Sequence, residues 1–332
     1  MIKLKTFGSF TVGNDLTSVP EGAWRSEKLE KLFVYLAINR NRGVCIEDIS
    51  EAIWQVEEET DNPVGALKNL AYRLRKALRD ASFDEECIVS VRGGLYKWND
   101  DVEVTIDVEE FDRYINEAEM AFCRSKETAI ESYEKAIALY HGDFLPLRTD
   151  THWFMTLNAF YHSRYVNTVK ALAKLYIDTG CYEKLEQLCT KAIVYERSDE
   201  QIYSYLIVAR MRTKKVQMAF DTYETAKAIM DKDLGVRKTV MLNKVYEELL
   251  SVTKGASSYN IDEVKDDISE ESMNGVFMCG YPVFKEIYQL EVRKSARSTI
   301  PESLVLVTVV PMYSSQPDKN HSQMKDSMHT LE

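Results

Sequence analysis

Apolar residues alternate with polar ones at the start of the chain. Ile2, Leu4, Phe7, Phe10 and Val12 carry one side of what reads as short strands over the first 20 or so residues, with Gly13-Asn14-Asp15 as a turn. The period then changes. In SEKLEKLFVYLA (Ser26 to Ala37), Leu29, Leu32, Phe33 and Leu36 share one helical face, and Ile46 to Trp54 repeats the pattern with Ile49, Ile53 and Trp54 inward. Asn62-Pro63 then supplies an N-cap and a first-turn proline, and predicts a helix to about Asp80. Ile88 to Val91 and Leu95 to Trp98, separated by Gly93-Gly94, read as a hairpin whose two-residue turn suits glycine.

From about Ile106 the pattern is almost wholly helical, broken at Gly142, Gly180, Ser198-Asp199 and Gly235. Lys-Ala-Ile recurs at 135–137, 191–193 and 227–229, the last two copies 36 residues apart. That spacing is near the ~34-residue tetratricopeptide period and predicts stacked helix pairs. Around Ser251 to Glu271 the composition turns polar and acidic, as linkers do. Beyond it, Tyr281 to Lys294 reads as a helix and Ser303 to Val310 (SLVLVTVV) as a buried strand. A lone helix and strand make no core. The expectation is that they dock on the rest or open a third domain cut short. From Met312 the polar composition predicts disorder.

Candidate chemistry concentrates on the helix from Pro63. At ~100° per residue, Leu67, Leu70, Ala71, Leu74, Ala77 and Leu78 form one stripe. Lys68, Asn69, Tyr72, Arg75, Lys76 and Arg79 gather opposite, with Arg73 at the edge. Five basic residues and no acidic one lie between Pro63 and Arg79. A cationic face of helical width fits the DNA major groove, where Arg and Lys meet phosphates or guanine edges and Asn can read adenine. A solvated basic face is the other reading of the same residues. The surrounding order favours the first: two short helices, this helix and a Gly-Gly hairpin carrying Arg92 and Lys97 are the parts of a winged helix-turn-helix. Arg92 at the hairpin tip suits a narrow minor groove, or is a plain turn cation.

Charge qualifies this picture. The net charge is −11, yet the first 100 residues carry 14 basic and 16 acidic side chains, so the acidity lies mostly beyond them. DNA affinity must therefore come from a local patch. The six cysteines are scattered without a CxxC pair and read as reduced, mostly buried thiols. The five histidines lack an H-x3-H spacing, so no metal is expected, although His141, His152 and His162 could converge. No G-x4-G-K-[ST] loop is present, and no cofactor is expected. No apolar run reaches the ~20 residues of a membrane span, and the start resembles no signal peptide. The expected location is the cytoplasm, without membrane contact.

LAYRLRKAL (Leu70 to Leu78) followed by IVSVRGGLYKW (Ile88 to Trp98) resembles the end of an OmpR/PhoB-type winged helix. There a recognition helix with an RLRxxL signature precedes a wing of the form T-V-R-G-x-G-Y. This chain departs by Ser90 for Thr and by a second glycine, Gly94, one place forward. Ile106-Asp107-Val108 with Phe111, YHGDFLP (Tyr140 to Pro146), Trp153 and AFDTYETAKAIMDKDLGV (Ala219 to Val236) resemble the bacterial transcriptional activator domain. The two in this order, over about residues 1–250, are similar to the SARP-type activators. The resemblance implies a tetratricopeptide-like helical domain beside the DNA-binding domain, with grooves for dimer or partner contacts. It also implies that the acidic loop over residues 55–61, with Glu57 to Glu59, faces RNA polymerase; a solvated loop is the alternative. GYPVFKEIYQLEVRKSARS with SLVLVTVV resembles the opening of a degenerate GGDEF-like domain, but no GG[DE]EF motif follows, so cyclase chemistry is not expected.

The expected fold is mainly α: a winged helix-turn-helix (α+β), an all-α tetratricopeptide-like helical-repeat domain and a short C-terminal helix–strand fragment. The expected bounds are 1–103 for the winged helix, 104–252 for the helical domain, 253–274 for an acidic linker, 275–311 for the GGDEF-like fragment and 312–332 for the tail. The expected function is sequence-specific DNA binding by a transcription regulator, an activator, with no enzymatic step. Lys68, Asn69, Tyr72, Arg73, Arg75, Lys76, Arg79 and Arg92 are the candidate contacts to double-stranded DNA. RNA polymerase and a second copy of the chain are the other partners. The competing expectation is a helical-repeat adaptor whose winged helix binds protein instead of DNA.

Overall fold

The computed structural model describes residues 1–14, 18–19, 24, 26–54, 62–81, 83, 87–91, 94–146, 148, 151–234, 239–256 and 281–295. Two strands, β1 (Ile2–Lys5) and β2 (Thr11–Gly13), lead into α1 (Glu27–Ile38), α2 (Ile46–Ile53) and α3 (Pro63–Asp80). A hairpin follows, β3 (Ile88–Val91) and β4 (Leu95–Trp98), and then a short strand, β5 (Val104–Ile106). The helical part comprises α4 (Asp107–Ala121), α5 (Lys126–Leu139), α6 (His152–Thr179), α7 (Tyr182–Tyr195), α8 (Glu200–Arg212), α9 (Val216–Leu234) and α10 (Val240–Ala256). This is a winged helix-like module followed by a tetratricopeptide-like helical domain.

The sheet has the order β2-β1-β5. β1 pairs antiparallel with β2, Leu4 opposite Val12, and parallel with β5, Leu4 opposite Ile106. The reversal between β1 and β2 falls at Gly8 (φ +75°), and just past Gly13 the chain turns back again, Gly13 bridging Ser18 and Val19 N–H donating to the Val12 carbonyl (2.8 Å). Strand β5 was invisible to the periodicity. Three residues are too few to show alternation, and its partner lies 102 positions away.

Each helix from α4 to α10 packs against the next in sequence. The Lys-Ala-Ile copies do not occupy equivalent places. Ala136 and Ala192 are buried, but Ala228 of the third copy is exposed and Ala226 takes the buried position. The structurally matched pair, Ala192 and Ala226, is 34 positions apart, which is the tetratricopeptide period. Tyr203, Ile207, Tyr223, Met230 and Leu242 form a second core cluster across α8 to α10.

The segment between α5 and α6 joins the two modules. Phe144 bridges Phe7, Gly8 N–H donates to the Asp143 carbonyl (2.9 Å) and Leu145 N–H to the Thr6 carbonyl (2.9 Å). A Cβ on Gly8 would run into the His141 carbonyl, its carbon only 2.9 Å away, so the approach requires glycine. Phe7 seats against Phe111, Tyr140 and Tyr161 at 5.2, 5.0 and 5.7 Å between ring centroids.

Asp107, at the start of α4, is buried. Its Oδ2 accepts from the Thr6 (2.7 Å) and Phe7 (2.9 Å) N–H groups, and its Oδ1 from the Thr6 hydroxyl (2.6 Å) and Val108 N–H (2.9 Å). Burial pushes its pKa up, and the hydrogen bonds pull it partly back. Arg148 pairs with Glu30 of α1 (2.7 Å), Arg40 forks onto Glu109, and the Thr151 hydroxyl donates to the Ala52 carbonyl (2.8 Å). Residues Met1–Ser257 thus form one compact unit.

Ser258–Glu332 is a separate unit, in which α11 (Tyr281–Ser295) coincides with the predicted helix and exposes Ile287, Tyr288, Leu290 and Val292. The predicted strand 303–310 lies outside the described residues. No helix among the described residues is long and apolar enough to cross a membrane.

Candidate nucleic-acid interface

Helix α3 begins where the sequence said it should. The Asn62 side chain accepts from Gly65 N–H at 2.9 Å, with Pro63 in the first turn. The cap also constrains its neighbour: a Cβ at Gly65 would lie 2.8 Å from the Asn62 amide nitrogen. Eighteen residues give a rod about 27 Å long at ~1.5 Å per residue.

One side of that rod is core. Leu67, Leu70, Ala71, Leu74, Ala77 and Leu78 are all buried, and α3 packs on α1 and α2. At ~100° per residue, Lys68, Asn69, Tyr72, Arg73, Lys76 and Arg79 fall within an arc of about 140° on the other side. All six are exposed, Tyr72 by 65 %, and Arg75 is half-buried at the edge. Among the described residues, no hydrogen bond or ion pair engages Lys68, Asn69, Tyr72, Arg73 or Lys76. The face is therefore cationic, continuous and open, and α4 to α10 do not cover it.

The hairpin is fixed from below. Trp98 is 2 % exposed, donates from Nε1 to the Val102 carbonyl (2.8 Å) and meets Phe33 at 5.4 Å. Val44 and Tyr96 exchange backbone hydrogen bonds of 2.8 Å, tying β4 to the segment between α1 and α2. Gly94 takes φ +80°, which a tight turn needs. Lys97 pairs with Asp100, so its charge is locally balanced. Arg92 and the acidic loop 55–61 lie outside the described residues.

The bacterial transcriptional activator domain family model matches residues 106–250, and the model "Transcriptional regulatory protein, C terminal" matches residues 23–98. The second match contains α3 and the hairpin. The transcriptional regulator RedD of Streptomyces coelicolor is 24% identical over 238 residues, 71% of this chain and 67% of that protein. The chain carries both domains of the SARP-type bacterial transcriptional activators, in the same order. The structure of Mycobacterium tuberculosis EmbR in complex with a low affinity phosphopeptide is similar in fold, with a TM-score of 0.59 at 20% identity. That likeness covers 80% of this chain and 70% of EmbR.

His162 sits between two carboxylates, Nδ1 2.8 Å from Asp143 Oδ1 and Nε2 3.1 Å from Glu196 Oε2, while the Tyr140 hydroxyl donates to Asp143 (2.6 Å). His152 lines a different cleft, beside Tyr35 and Trp153. Among the described residues no three His, Cys, Asp or Glu side chains are grouped to hold a metal. Of the five described cysteines Cys87 and Cys189 are buried, Cys45 and Cys181 half-buried and Cys123 exposed, fewer buried than the composition led us to expect. Cys45 caps α2, its Sγ accepting from Asp48 N–H at 3.4 Å.

What sequence reasoning missed is the joint between the two modules. Gly8 and Asp107 fix it, and the signal available was a glycine between two phenylalanines in a strand pattern.

Proposed function

We propose that the protein is a sequence-specific DNA-binding transcription activator that inserts α3 into the major groove. Lys68, Asn69, Tyr72 and Arg73, along the N-terminal half of the open face, would meet base edges; Arg75, Lys76 and Arg79 would hold phosphates. The β3–β4 hairpin would serve as the wing, with Arg92 reaching an adjacent groove. The mechanism is binding, without a chemical step, carried out in the cytoplasm. The helical domain would make dimer or partner contacts, and loop 55–61 would contact RNA polymerase.

One observation carries this reading: a helix with every leucine buried presents Lys68, Arg73 and Lys76 outward together, with no acidic residue between Pro63 and Arg79. The family supports it independently. The test is electrophoretic mobility shift on the upstream region of the gene itself with Arg73→Ala/Lys76→Ala. Both positions are exposed, so folding is preserved. Loss of the shift is expected; an unchanged shift removes α3 from the interface. A wild-type chain that shifts no genomic fragment but captures a protein supports the adaptor reading instead.

A further inference from the structure

We propose that the groove between α5, α6 and α7 is a binding site for a small aromatic anion. The groove has a volume of about 610 Å³, within the ~300–1,000 Å³ of small-molecule sites. Three of its tyrosines form an aromatic wall: Tyr140 and Tyr165 stack at 3.8 Å, and Tyr195 stands edge-on to them at 5.3 and 5.8 Å. Leu172 and Leu188 supply further apolar surface. Tyr140 and Tyr165 are 3% and 1% exposed, so the ring open to a ligand is Tyr195, 37% exposed, against which a planar ring can lie.

Two polar features then select the ligand. Tyr165 is only 1% exposed, and among the described residues its hydroxyl has no hydrogen-bond partner. That hydroxyl is not enclosed like the Ser50 hydroxyl; it reaches the groove, where it is free to donate to an acceptor on a ligand. The lining also carries two lysines against one carboxylate. Glu134 is already used: Lys184 pairs with its Oε1 at 2.7 Å, and the Tyr176 hydroxyl donates to the same atom at 2.6 Å. Lys191 is exposed and, among the described residues, has neither ion pair nor hydrogen bond. A free cation beside an aromatic wall, in a chain of net charge −11, selects an anion that stacks.

The position gives such a ligand leverage. Tyr140 and His141 line the groove, and the next residue, Gly142 (φ +136°), lies against Gly8 of the DNA-binding module. A Cβ at Gly142 would stand 3.0 Å from the Gly8 Cα. Whatever presses on Tyr140 and His141 loads the segment that joins the two modules.

The test is fluorescence titration of the full chain with anilinonaphthalene sulfonate, an aromatic anion. It needs no DNA and so stands apart from the function proposed above. Saturable one-to-one binding is expected, weakened about tenfold by Lys191→Glu through charge reversal. Tyr165→Phe keeps the ring and removes only the hydroxyl, so it should melt like wild type yet bind more weakly. Asn167→Ala, on a different groove, should bind like wild type. Non-saturable binding, or equal affinity in wild type and Lys191→Glu, overturns the proposal. So does a dimer in light scattering that excludes the probe, because the groove would then be filled by a second copy.

Discussion

Replacing Asp107 with asparagine isolates the joint between the two modules. The side chain keeps its shape, but one oxygen becomes an NH2 group. On Oδ2 that group would face the N–H donors of Thr6 and Phe7, now 2.7 and 2.9 Å away; on Oδ1 it would face the Thr6 hydroxyl and Val108 N–H. The second orientation costs less, because the Thr6 hydroxyl can turn and accept from the new NH2; it removes outright one hydrogen bond to a charged acceptor, worth roughly 1.5–3 kcal/mol net, and leaves the two N–H bonds at Oδ2 on a neutral oxygen, roughly 0.5–1 kcal/mol weaker each. With the lower figure for the lost bond, the total is about 3 kcal/mol. For a unit of this size, about 2–4 °C of melting temperature goes with each kcal/mol, so Tm should fall by about 6–12 °C. The assay is thermal unfolding of the full chain followed by circular dichroism. A fall below about 3 °C, equivalent to roughly 1 kcal/mol, would show that this carboxylate does not hold the strand to α4.

Two further outcomes follow from the same joint. Gly8→Ala must carry a Cβ at φ +75° into the His141 carbonyl, so it should lose more than the roughly 1–2 kcal/mol of left-handed strain alone. Urea unfolding checks this, with the exposed Ser9→Ala as its neutral neighbour, and equal stability of the two variants would contradict the packing. His162 gives a pH dependence. Burial lowers its pKa, but the hydrogen bonds and charges of Glu196 and Asp143 outweigh that and raise it above the ordinary 6.5. Its contribution is therefore complete below about 6.5 and is lost as pH rises through the raised value. Wild-type Tm should fall over that interval and His162→Gln should show a flatter profile; parallel profiles would exclude the ion cluster as the cause.

The parts of the candidate interface that could be read from the sequence are those coded locally. Asn62-Pro63 marks the start of α3, the leucine spacing marks its buried side, and Gly93-Gly94 marks the hairpin; each is a relation among residues fewer than eight apart. The joint is coded at long range. Thr6 and Asp107 are 101 positions apart, and Arg148 and Glu30 are 118 apart. No periodicity links such pairs. The repeat was legible in kind but out of phase, because Lys-Ala-Ile is a surface-inclusive string and burial selects Ala226 instead of Ala228. Lys191 escaped notice for the related reason that a single lysine has meaning only beside Tyr165 and Tyr195, which come from another helix and from its own next turn.

The central claim is that the open side of α3 meets the phosphates and bases of a duplex. The most direct measurement is the salt dependence of DNA affinity for wild type and for Arg73→Ala/Lys76→Ala. Each lost phosphate contact should reduce the slope of log affinity against log salt by about 0.9; of the two residues Lys76 is the phosphate contact, so the double variant should be shallower by about 0.9. Two lines of equal slope would place the DNA somewhere other than on α3.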